Sequence, residues 1–280
     1  MNSEKILSIG WDAGGMVGKS NALAIFEYTP EDGWEFRNAK KFSPQERLED
    51  GIRTGLEDFL NTFNCYDSQD DGDYRKVIAI DSPFSFPDKF KKWFHGESFT
   101  EEDLWDVRER ENDLAKFYDS VGYRPTDVYI EKAFSSKFDY SRTLSPVYDK
   151  ITNQVIMVNS LLKQWESNED CVVFPADHEP DEVPVSFIEV YPKLIKAEGK
   201  SDAPIKHDVS FLNDLESEPG SHCYDAALSA LFGIEFATGK GLDEFGSLKH
   251  PEDVDKSDLD YWKRDDNELD WIYHFGNEGS

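Results

Sequence analysis

The sequence predicts an α/β fold in which a mixed β-sheet is flanked by helices. Short apolar runs typical of strands alternate with longer segments whose apolar residues recur every three or four positions, as in amphipathic helices. The first three runs are separated by short turns, which indicates antiparallel pairing. A later run over 75–83 is almost continuously apolar, as expected for a buried parallel strand.

The N-terminal part of the chain predicts the element order β-β-β-α-β. Residues 5–12, 21–30 and 34–42 form the strands of an antiparallel meander. A Ser-Pro start with a glutamate two residues later opens an amphipathic helix over 43–64, which packs one face on the sheet. The run over 75–83 adds the central parallel strand.

The C-terminal part continues with helices and strands around a less regular insertion. Residues 84–142 are mixed in pattern, with one helix over 101–121, and predict an insertion or cap beside the sheet. The further predicted elements are a helix over 145–167, strands over 171–175 and 185–192, a short helix over 208–216 and a helix over 222–238. Residues 243–280 predict an acidic, aromatic extension that packs back on the body, and residues 1–280 predict a single domain.

The charge of the chain limits its partners. The formal net charge is −28, from 58 acidic and 30 basic residues. Nucleic-acid binding normally uses a basic surface, so nucleic acid is a possible but disfavoured partner. Two explanations stay open: adaptation to a high-salt cytoplasm, or a substrate that is not a long polyanion.

Hydropathy and cysteine content predict a cytoplasmic protein without a membrane segment. No run approaches the roughly 20 apolar residues of a membrane span, and the N-terminus lacks the layout of a signal peptide. The three cysteines are far apart and show no CxxC spacing, which predicts buried thiols rather than disulfides or a zinc site.

Four acidic residues lie at positions suited to catalysis. Asp12, Asp81 and Glu189 lie at or near the ends of apolar strand-like runs, and Asp225 opens a helical run. Carboxylates at strand ends meet at one edge of a sheet, where they can bind divalent cations. Each residue also has a structural explanation: the aspartates can cap turns or a helix N-terminus, and Glu189 can face solvent on an edge strand.

A glycine-rich segment offers one alternative to this carboxylate site. Residues 13–20, AGGMVGKS, resemble a P-loop with alanine in place of the first glycine. A P-loop must open a helix, whose N-terminus binds phosphate. The next residues instead read as a strand that ends at Pro30, which disfavours the P-loop.

The motifs GWDAGG, AIDSPFSFP, EVYP and DAALSAL occur in this order, followed by a tail that contains WI. Together they resemble the family of predicted RNase H-like nucleases called domain of unknown function 429, over about residues 5 to 275. The resemblance implies an RNase H-like fold of the ribonuclease H/actin-like superfamily, with a mixed five-stranded sheet flanked by helices. It also implies that Asp12, Asp81, Glu189 and Asp225 carry the function.

These residues predict a Mg²⁺- or Mn²⁺-dependent nuclease that hydrolyses phosphodiesters by a two-metal mechanism. Asp12 is expected to bridge the two ions, Asp81 and Glu189 to complete their coordination, and Asp225 to shift between substrate and product states. Two other functions stay open: an actin-like nucleotide-binding phosphotransferase, and an RNase H-like binding module without catalytic activity.

Two further segments are weaker candidates for phosphate contact. Arg108 and Arg110, with Asp113 behind them, lie where the family tends to carry an arginine and an acidic residue. Lys206 and His207 follow the EVYP strand. For all five residues, the favoured interpretation is an exposed side chain in contact with solvent.

Overall fold

Strands and helices alternate along the chain largely in the order that the sequence predicts. The computed structural model describes residues 5–14, 21–42, 55–61, 66, 74–100, 104, 112–134, 144–149, 151–168, 170–176, 179–196, 205–206, 221–239, 247–253 and 271–275. The strands are β1 (Ile6–Asp12), β2 (Asn21–Thr29), β3 (Gly33–Phe42), β4 (Arg75–Asp81), β5 (Cys171–Val173), β6 (Val185–Val190), β7 (Ile195–Lys196), β8 (Ile205–Lys206), β9 (Leu248–Lys249) and β10 (Ile272–Phe275). The helices are α1 (Leu56–Asn61), α2 (Asp88–Phe94), α3 (Asp113–Gly122), α4 (Pro125–Phe134), α5 (Thr152–Trp165) and α6 (His222–Thr238).

Eight of the described strands form one mixed sheet. Its order is β3-β2-β1-β4-β6-β10-β9, and β5 pairs with β6 beside this path. Strand β2 is antiparallel to β1 and β3, whereas β1, β4 and β6 run parallel to one another. Strand β10 adds to β6 in parallel and belongs to the aromatic tail. The chain therefore has an α/β fold with a mixed sheet flanked by helices.

Alternation along the buried strands separates the core into two clusters, one on each face of the sheet. Ile78 and Ile80 of β4 pack with α1 and α5, whereas Val77 and Ala79 pack with α6. In the same way Leu7, Ile9 and Trp11 of β1 belong to the α5 side. Burial of these apolar side chains, at roughly 25 cal/mol per Å² of area, holds the helices against the sheet.

Helix α6 approaches the centre of the sheet closely because glycines lie at the crossing. A Cβ atom on Gly10 would lie 1.8 Å from the carbonyl oxygen of Ala226. One on Gly233 would lie 2.3 Å from the Ser8 hydroxyl oxygen, and that hydroxyl donates a 2.6 Å hydrogen bond to the carbonyl of Ala230. The helix ends as predicted, at Gly239 in the left-handed conformation.

The helix predicted over 145–167 begins later than its Ser-Pro signal indicates. Helix α5 begins at Thr152. Ser145 instead stabilises a separate turn, because its hydroxyl accepts hydrogen bonds from the N–H groups of Val147 and Tyr148 and donates one to the carbonyl of Gly122. The capping signal is therefore used to join this turn to the end of α3.

The P-loop alternative is excluded by the element that follows the glycine-rich segment. A strand, β2, begins at Asn21, the first residue after that segment, and pairs along its length with β1. The segment therefore does not open the helix on which phosphate binding by a P-loop depends.

The described residues cover several other predicted features only in part. The helix predicted over 43–64 is seen as α1, and that over 101–121 as α3. Both begin later than predicted: Gly55 and Leu104 are not helical, and Asn112 has extended backbone and caps α3 by accepting a hydrogen bond from the N–H of Leu114. The other residues of these two predicted helices, and the helix predicted over 208–216, lie outside the described residues. Cys171 and Cys223 are buried free thiols, as expected, and Cys65 lies outside the described residues. No helix in the described part of the chain is long and apolar enough to cross a membrane.

Candidate functional site

The four acidic residues singled out by the sequence line a single cleft at the carboxyl ends of the parallel strands. The cleft has a volume of about 220 Å³. Asp12, Asp81, Glu189 and Asp225 all contribute to its wall, although more than 200 residues separate the first from the last. The structure therefore brings together side chains from β1, β4, β6 and α6.

Strand register places Asp12 beside Asp81. The two residues are paired neighbours at the last positions of the parallel strands β1 and β4. Alternation from Gly10 and Ala79, which face α6, directs both carboxylates to the α6 side of the sheet. They are only partly buried, since the cleft exposes them. Two carboxylates at adjacent strand ends repel each other unless a proton or a cation lies between them.

The first turn of α6 supplies the residues opposite this pair. Ser221 caps the helix by accepting a hydrogen bond from the N–H of Tyr224. His222 and Asp225 then point into the cleft, and Nδ1 of His222 lies 2.6 Å from Oδ2 of Asp12. The helix N-terminus adds a partial positive charge that favours anions at this position.

Burial and mutual repulsion shift the protonation of the strand-end aspartates. The pKa of Asp12 is raised to about 7, chiefly because burial disfavours its charged form and further because Asp225 repels it. The pKa of Asp81 is raised well above its usual value, again by burial first and then by the charge of Asp12. The positive charge of Lys193, an exposed residue at the rim, acts in the opposite direction on both.

Glu189 differs from the other three because an arginine binds both of its carboxylate oxygens. The guanidinium of Arg124 donates hydrogen bonds of 2.7 Å and 2.6 Å to Oε2 and Oε1 of Glu189. It also donates to both oxygens of Asp127, at 3.0 Å and 2.9 Å. All three side chains are buried. Glu189 lies on a central strand, so the alternative of a solvent-facing edge position is wrong.

The orientation of Glu189 also differs from that of the aspartates. Ile188 and Val190, its neighbours in β6, pack on the α6 side of the sheet, so alternation directs Glu189 to the other side. There Oε2 also accepts a 2.9 Å hydrogen bond from the N–H of Phe84. In this structure the Glu189 carboxylate therefore holds Arg124 and the loop after β4, and its expected role as a metal ligand stays a prediction.

Helix α5 also holds the loop after β4. The side-chain amide of Gln154 donates a 2.6 Å hydrogen bond to the backbone carbonyl of Asp81, and that of Asn159 donates a 2.5 Å hydrogen bond to the carbonyl of Phe84. These contacts hold the backbone at the end of β4. By fixing the backbone of Asp81 and of the loop that follows, these two hydrogen bonds also fix the position of the Asp81 carboxylate.

The cleft has the donor chemistry of a Mg²⁺ or Mn²⁺ site without being arranged as one. Asp12, Asp81 and Asp225 offer the hard oxygen ligands that these ions take. Among the residues that the structure describes, no three His, Cys, Asp or Glu side chains are placed to hold a metal ion as they stand. Binding would draw the carboxylates together. The pKa values of Asp12 and Asp81 are raised first by burial and then by mutual repulsion, and a bound cation would relieve that repulsion.

Four residues of the cleft with charged or imidazole side chains are absent from the predicted site: Arg124, Asp127, Lys193 and His222. Local signals for them exist. The first two occur as RPTD, at the i, i+3 spacing of an ion pair on a helix. Lys193 directly follows EVYP, and His222 lies three residues before Asp225. Each is adjacent to a motif that is recognised, and none is apolar enough to affect the strand and helix patterns.

Of the weaker phosphate-contact candidates, Asp113 is the one whose side chain the structure describes, and it does not line the carboxylate cleft. Arg108, Arg110 and His207 lie outside the described residues, and only the backbone of Lys206 is described. Asp113 is exposed and lines a different cleft, beside Trp93.

In comparisons with known proteins, the chain matches no family model, no curated protein and no solved structure. The function of the chain is therefore inferred from its motifs and from the geometry of the cleft.

Proposed function

We propose that this chain is a metal-dependent nuclease of RNase H-like fold, which hydrolyses phosphodiester bonds with Mg²⁺ or Mn²⁺ held by Asp12, Asp81 and Asp225. The observation that carries the proposal is the convergence of these three carboxylates at the carboxyl ends of β1 and β4 and at the start of α6. Ligands commonly bind at that edge of open α/β sheets.

The sheet supports the fold assignment. The resemblance implies a mixed five-stranded sheet flanked by helices, and strands β3-β2-β1-β4-β6 form a continuous five-stranded sheet in which only β2 runs antiparallel. Helices lie on both of its faces. Strands β9 and β10 extend this core at the β6 edge, and the segment between β4 and α5 adds α2, α3 and α4.

Five side chains of the cleft have parts in this reaction. When bound, the ions lower the pKa of a water molecule and stabilise the oxygen that leaves phosphorus. Asp12, Asp81 and Asp225 hold the ions, and His222 orients Asp12 through its 2.6 Å contact. Lys193 places a positive charge at the rim, where it can contact a non-bridging phosphate oxygen. Water forms the new P–O bond, and the products are a phosphate monoester and an alcohol.

A small diester tests the chemistry apart from any recognition of a polymer. We expect purified protein to hydrolyse bis(p-nitrophenyl) phosphate with Mg²⁺ or Mn²⁺ and not with EDTA. Asp81→Asn should reduce turnover by at least about 100-fold, as expected when electrostatic stabilisation at the reacting centre is lost. It should also weaken Mn²⁺ binding measured by calorimetry.

A matched control separates this effect from a general loss of negative charge. Asp181 is an exposed aspartate in the short 3₁₀ turn before the amino end of β6 and does not line the cleft, so Asp181→Asn should leave turnover and Mn²⁺ binding unchanged. Absence of metal binding by the unaltered protein, or equal turnover by the Asp81→Asn and unaltered proteins, would show the proposal to be wrong. Stabilisation by ATP without diester hydrolysis would instead favour the phosphotransferase alternative.

A further inference from the structure

Exposed apolar side chains are concentrated in the segment between β4 and α5. Among the residues that the structure describes, the large hydrophobic side chains that are more than about one third exposed are Trp93, Phe94, Leu114, Tyr118, Leu144, Tyr148 and Ile156. All but Ile156 belong to this segment. Phe94, at the end of α2, is 74 % exposed. Such a concentration on a protein surface marks a site of binding, because scattered single residues are the norm elsewhere.

The aromatic rings of this segment form one connected series, called here the aromatic surface: Phe94, Phe90, Trp93, Phe117, Tyr118 and Tyr148. Ring centroids are separated by 6.1 Å from Phe94 to Phe90 and again from Phe90 to Trp93. Those of Trp93 and Phe117 are 5.8 Å apart. The series thus passes from α2 to α3 without a break.

The aromatic surface continues to the carboxylate cleft. Phe117 contacts Tyr118, and Tyr118 contacts Tyr148, with ring centroids 6.0 Å and 5.6 Å apart. Leu144 and Ile151, which flank Tyr148 in the chain, both line the cleft. A ligand lying along the rings from α2 would therefore arrive at the wall that carries the carboxylates.

Local charge on α2 differs from that of the rest of the chain. The helix carries Lys89, Lys91 and Lys92 against a single acidic residue, Asp88. Lys89 is buried and Lys91 forms a 3.0 Å ion pair with Asp88, whereas Lys92 is exposed. In a chain with a net charge of −28, a helix that joins exposed rings to lysines has the chemistry that binds stacked bases and phosphates together.

A second cleft beside the rings restricts where phosphates can lie. Trp93 and Phe117 contribute to its wall, and its volume is about 400 Å³. Glu97 and Asp113 also line it. Their negative charge disfavours a phosphate there, so the cleft suits an uncharged base, and the phosphates are left to the lysine side of α2.

We propose that the aromatic surface binds the unpaired bases of a single-stranded nucleic acid and directs its backbone into the carboxylate cleft. This inference rests on the proposed nuclease function and names its substrate class. A duplex is excluded because its bases are stacked on each other and do not offer their faces to side chains. Since few lysines take part, binding depends mainly on stacking and only weakly on salt.

The test measures binding of a 5′-fluorescein-labelled oligo(dT) of about 20 nucleotides to the Asp81→Asn protein by fluorescence anisotropy, so that the strand stays intact. Replacing Trp93 and Phe94 together by alanine should weaken binding by at least about tenfold. Ile156→Ala removes an apolar side chain outside the aromatic surface that is 43 % exposed, close to the 48 % of Trp93, and should leave binding unchanged. The logarithm of affinity should fall with the logarithm of salt concentration with a slope of about −1.4, the value for two neutralised phosphates.

A second variant protects the test against loss of folding. Trp93 packs on Phe117, so thermal melts must show that the double variant folds. Phe94→Ala alone changes the most exposed ring and should still weaken oligo(dT) binding several-fold. In proteins with Asp81 intact, hydrolysis of bis(p-nitrophenyl) phosphate should be the same with and without these changes, because this diester contacts only the cleft.

Four results would overturn the inference. The first is equal oligo(dT) affinity of the double variant and its parent, and the second is equally tight binding of a duplex of the same length. The third is no oligo(dT) binding at all. The fourth is a protein that binds no oligo(dT) and forms a dimer in solution, which the double change converts to a monomer. The last result would identify the aromatic surface as a contact between two copies of the chain. If bis(p-nitrophenyl) phosphate is still hydrolysed in any of these cases, the proposed function stands without this substrate class.

Discussion

Nδ1 of His222 lies 2.6 Å from Oδ2 of Asp12, although 210 positions separate the two residues in the sequence. The contact exists because α6 crosses β1 where Gly10 has no side chain, which brings the first turn of the helix to the end of the strand. The carboxylate cleft therefore depends on backbone packing two residues before Asp12.

We expect Gly10→Ala to destabilise the fold and disrupt the cleft together. Its Cβ would lie 1.8 Å from the carbonyl oxygen of Ala226 and 2.4 Å from the N of Ala230, both backbone atoms that cannot rotate away. The cost should be about 3 kcal/mol in the free energy of unfolding, measured by urea denaturation. Mn²⁺ affinity should fall as well, because α6 must move away from β1.

Gly55→Ala is the matched control for this change. At Gly55 the nearest atom to an added Cβ is a carboxylate oxygen of Asp58, at 3.5 Å, an ordinary contact. Its effect should lie within about 0.5 kcal/mol. Unchanged stability of Gly10→Ala would mean that α6 is not held against β1 as described here.

Much of the site could be predicted from the sequence, because strand ends and a helix start can be recognised locally. Asp12 and Asp81 follow apolar runs, and Asp225 opens a long apolar helix, so their placement at one edge of a parallel sheet follows from general rules. The Arg124–Glu189 pair could not be predicted in this way. Its two residues lie 65 positions apart and meet only through packing of α4 against β10, which no local pattern encodes.

Burial of the Asp12 carboxylate, together with repulsion from Asp225, should make the metal-free protein less stable than a variant with one carboxylate fewer. The folded-state pKa of Asp12 is about 7, above the ordinary value of 3.8. Between these pH values the folded state binds more protons than the unfolded state, so stability falls as pH rises and the full cost is present above pH 7. Asp12→Asn should therefore stabilise the metal-free protein by about 2–4 kcal/mol at about pH 8.

Urea denaturation with EDTA and with Mg²⁺ checks this prediction. With EDTA, Asp12→Asn should be the more stable protein, and Asp181→Asn should match the unaltered chain. With Mg²⁺, the unaltered protein should gain stability while Asp12→Asn gains little, so that the difference narrows or reverses. If Asp12→Asn is the less stable protein in EDTA at high pH, then the burial of the Asp12 charge and its repulsion by Asp225 do not destabilise the folded state.

Acid should act on a different group, the buried imidazole of His274 in β10. Its pKa is lowered to about 4, mainly because burial disfavours the charged form, although Nδ1–H donates a 3.0 Å hydrogen bond to the carbonyl of Ile272. Between about pH 6.5 and pH 4, His274 is protonated in the unfolded state but stays neutral in the folded state. Stability due to this residue is therefore complete above that pH and falls by about 3 kcal/mol as pH decreases to 4.

The measurement is the free energy of unfolding as a function of pH, made in the Asp12→Asn protein to remove the opposite trend of that carboxyl group. His274→Phe keeps an aromatic ring against Phe134, with which His274 makes an edge contact. The added change should flatten the profile between about pH 4 and pH 6.5. An unchanged slope in the His274→Phe protein would assign the acid sensitivity to other groups.

Arg124 should be essential to stability because it compensates two buried carboxylates. Arg124→Met leaves Glu189 and Asp127 buried without their cation and should cost about 3–5 kcal/mol. Arg124→Lys keeps the charge but cannot donate to both oxygens of Glu189 and Asp127 at once, so it should recover only part of that loss. Arg37, whose pair with Glu27 is more exposed, is the matched control, and Arg37→Met should cost about 1 kcal/mol or less.

The Glu189→Gln change then tests what Arg124 compensates. In an Arg124→Met background it removes one uncompensated charge and should restore stability, whereas in the unaltered protein it should destabilise. This reversal of sign is measured by a double-mutant cycle in urea. A structural role of this kind also predicts that Glu189→Gln retains Mn²⁺ affinity better than Asp81→Asn. If the two variants lose Mn²⁺ equally, Glu189 is a metal ligand after all, and Arg124 serves to orient that ligand.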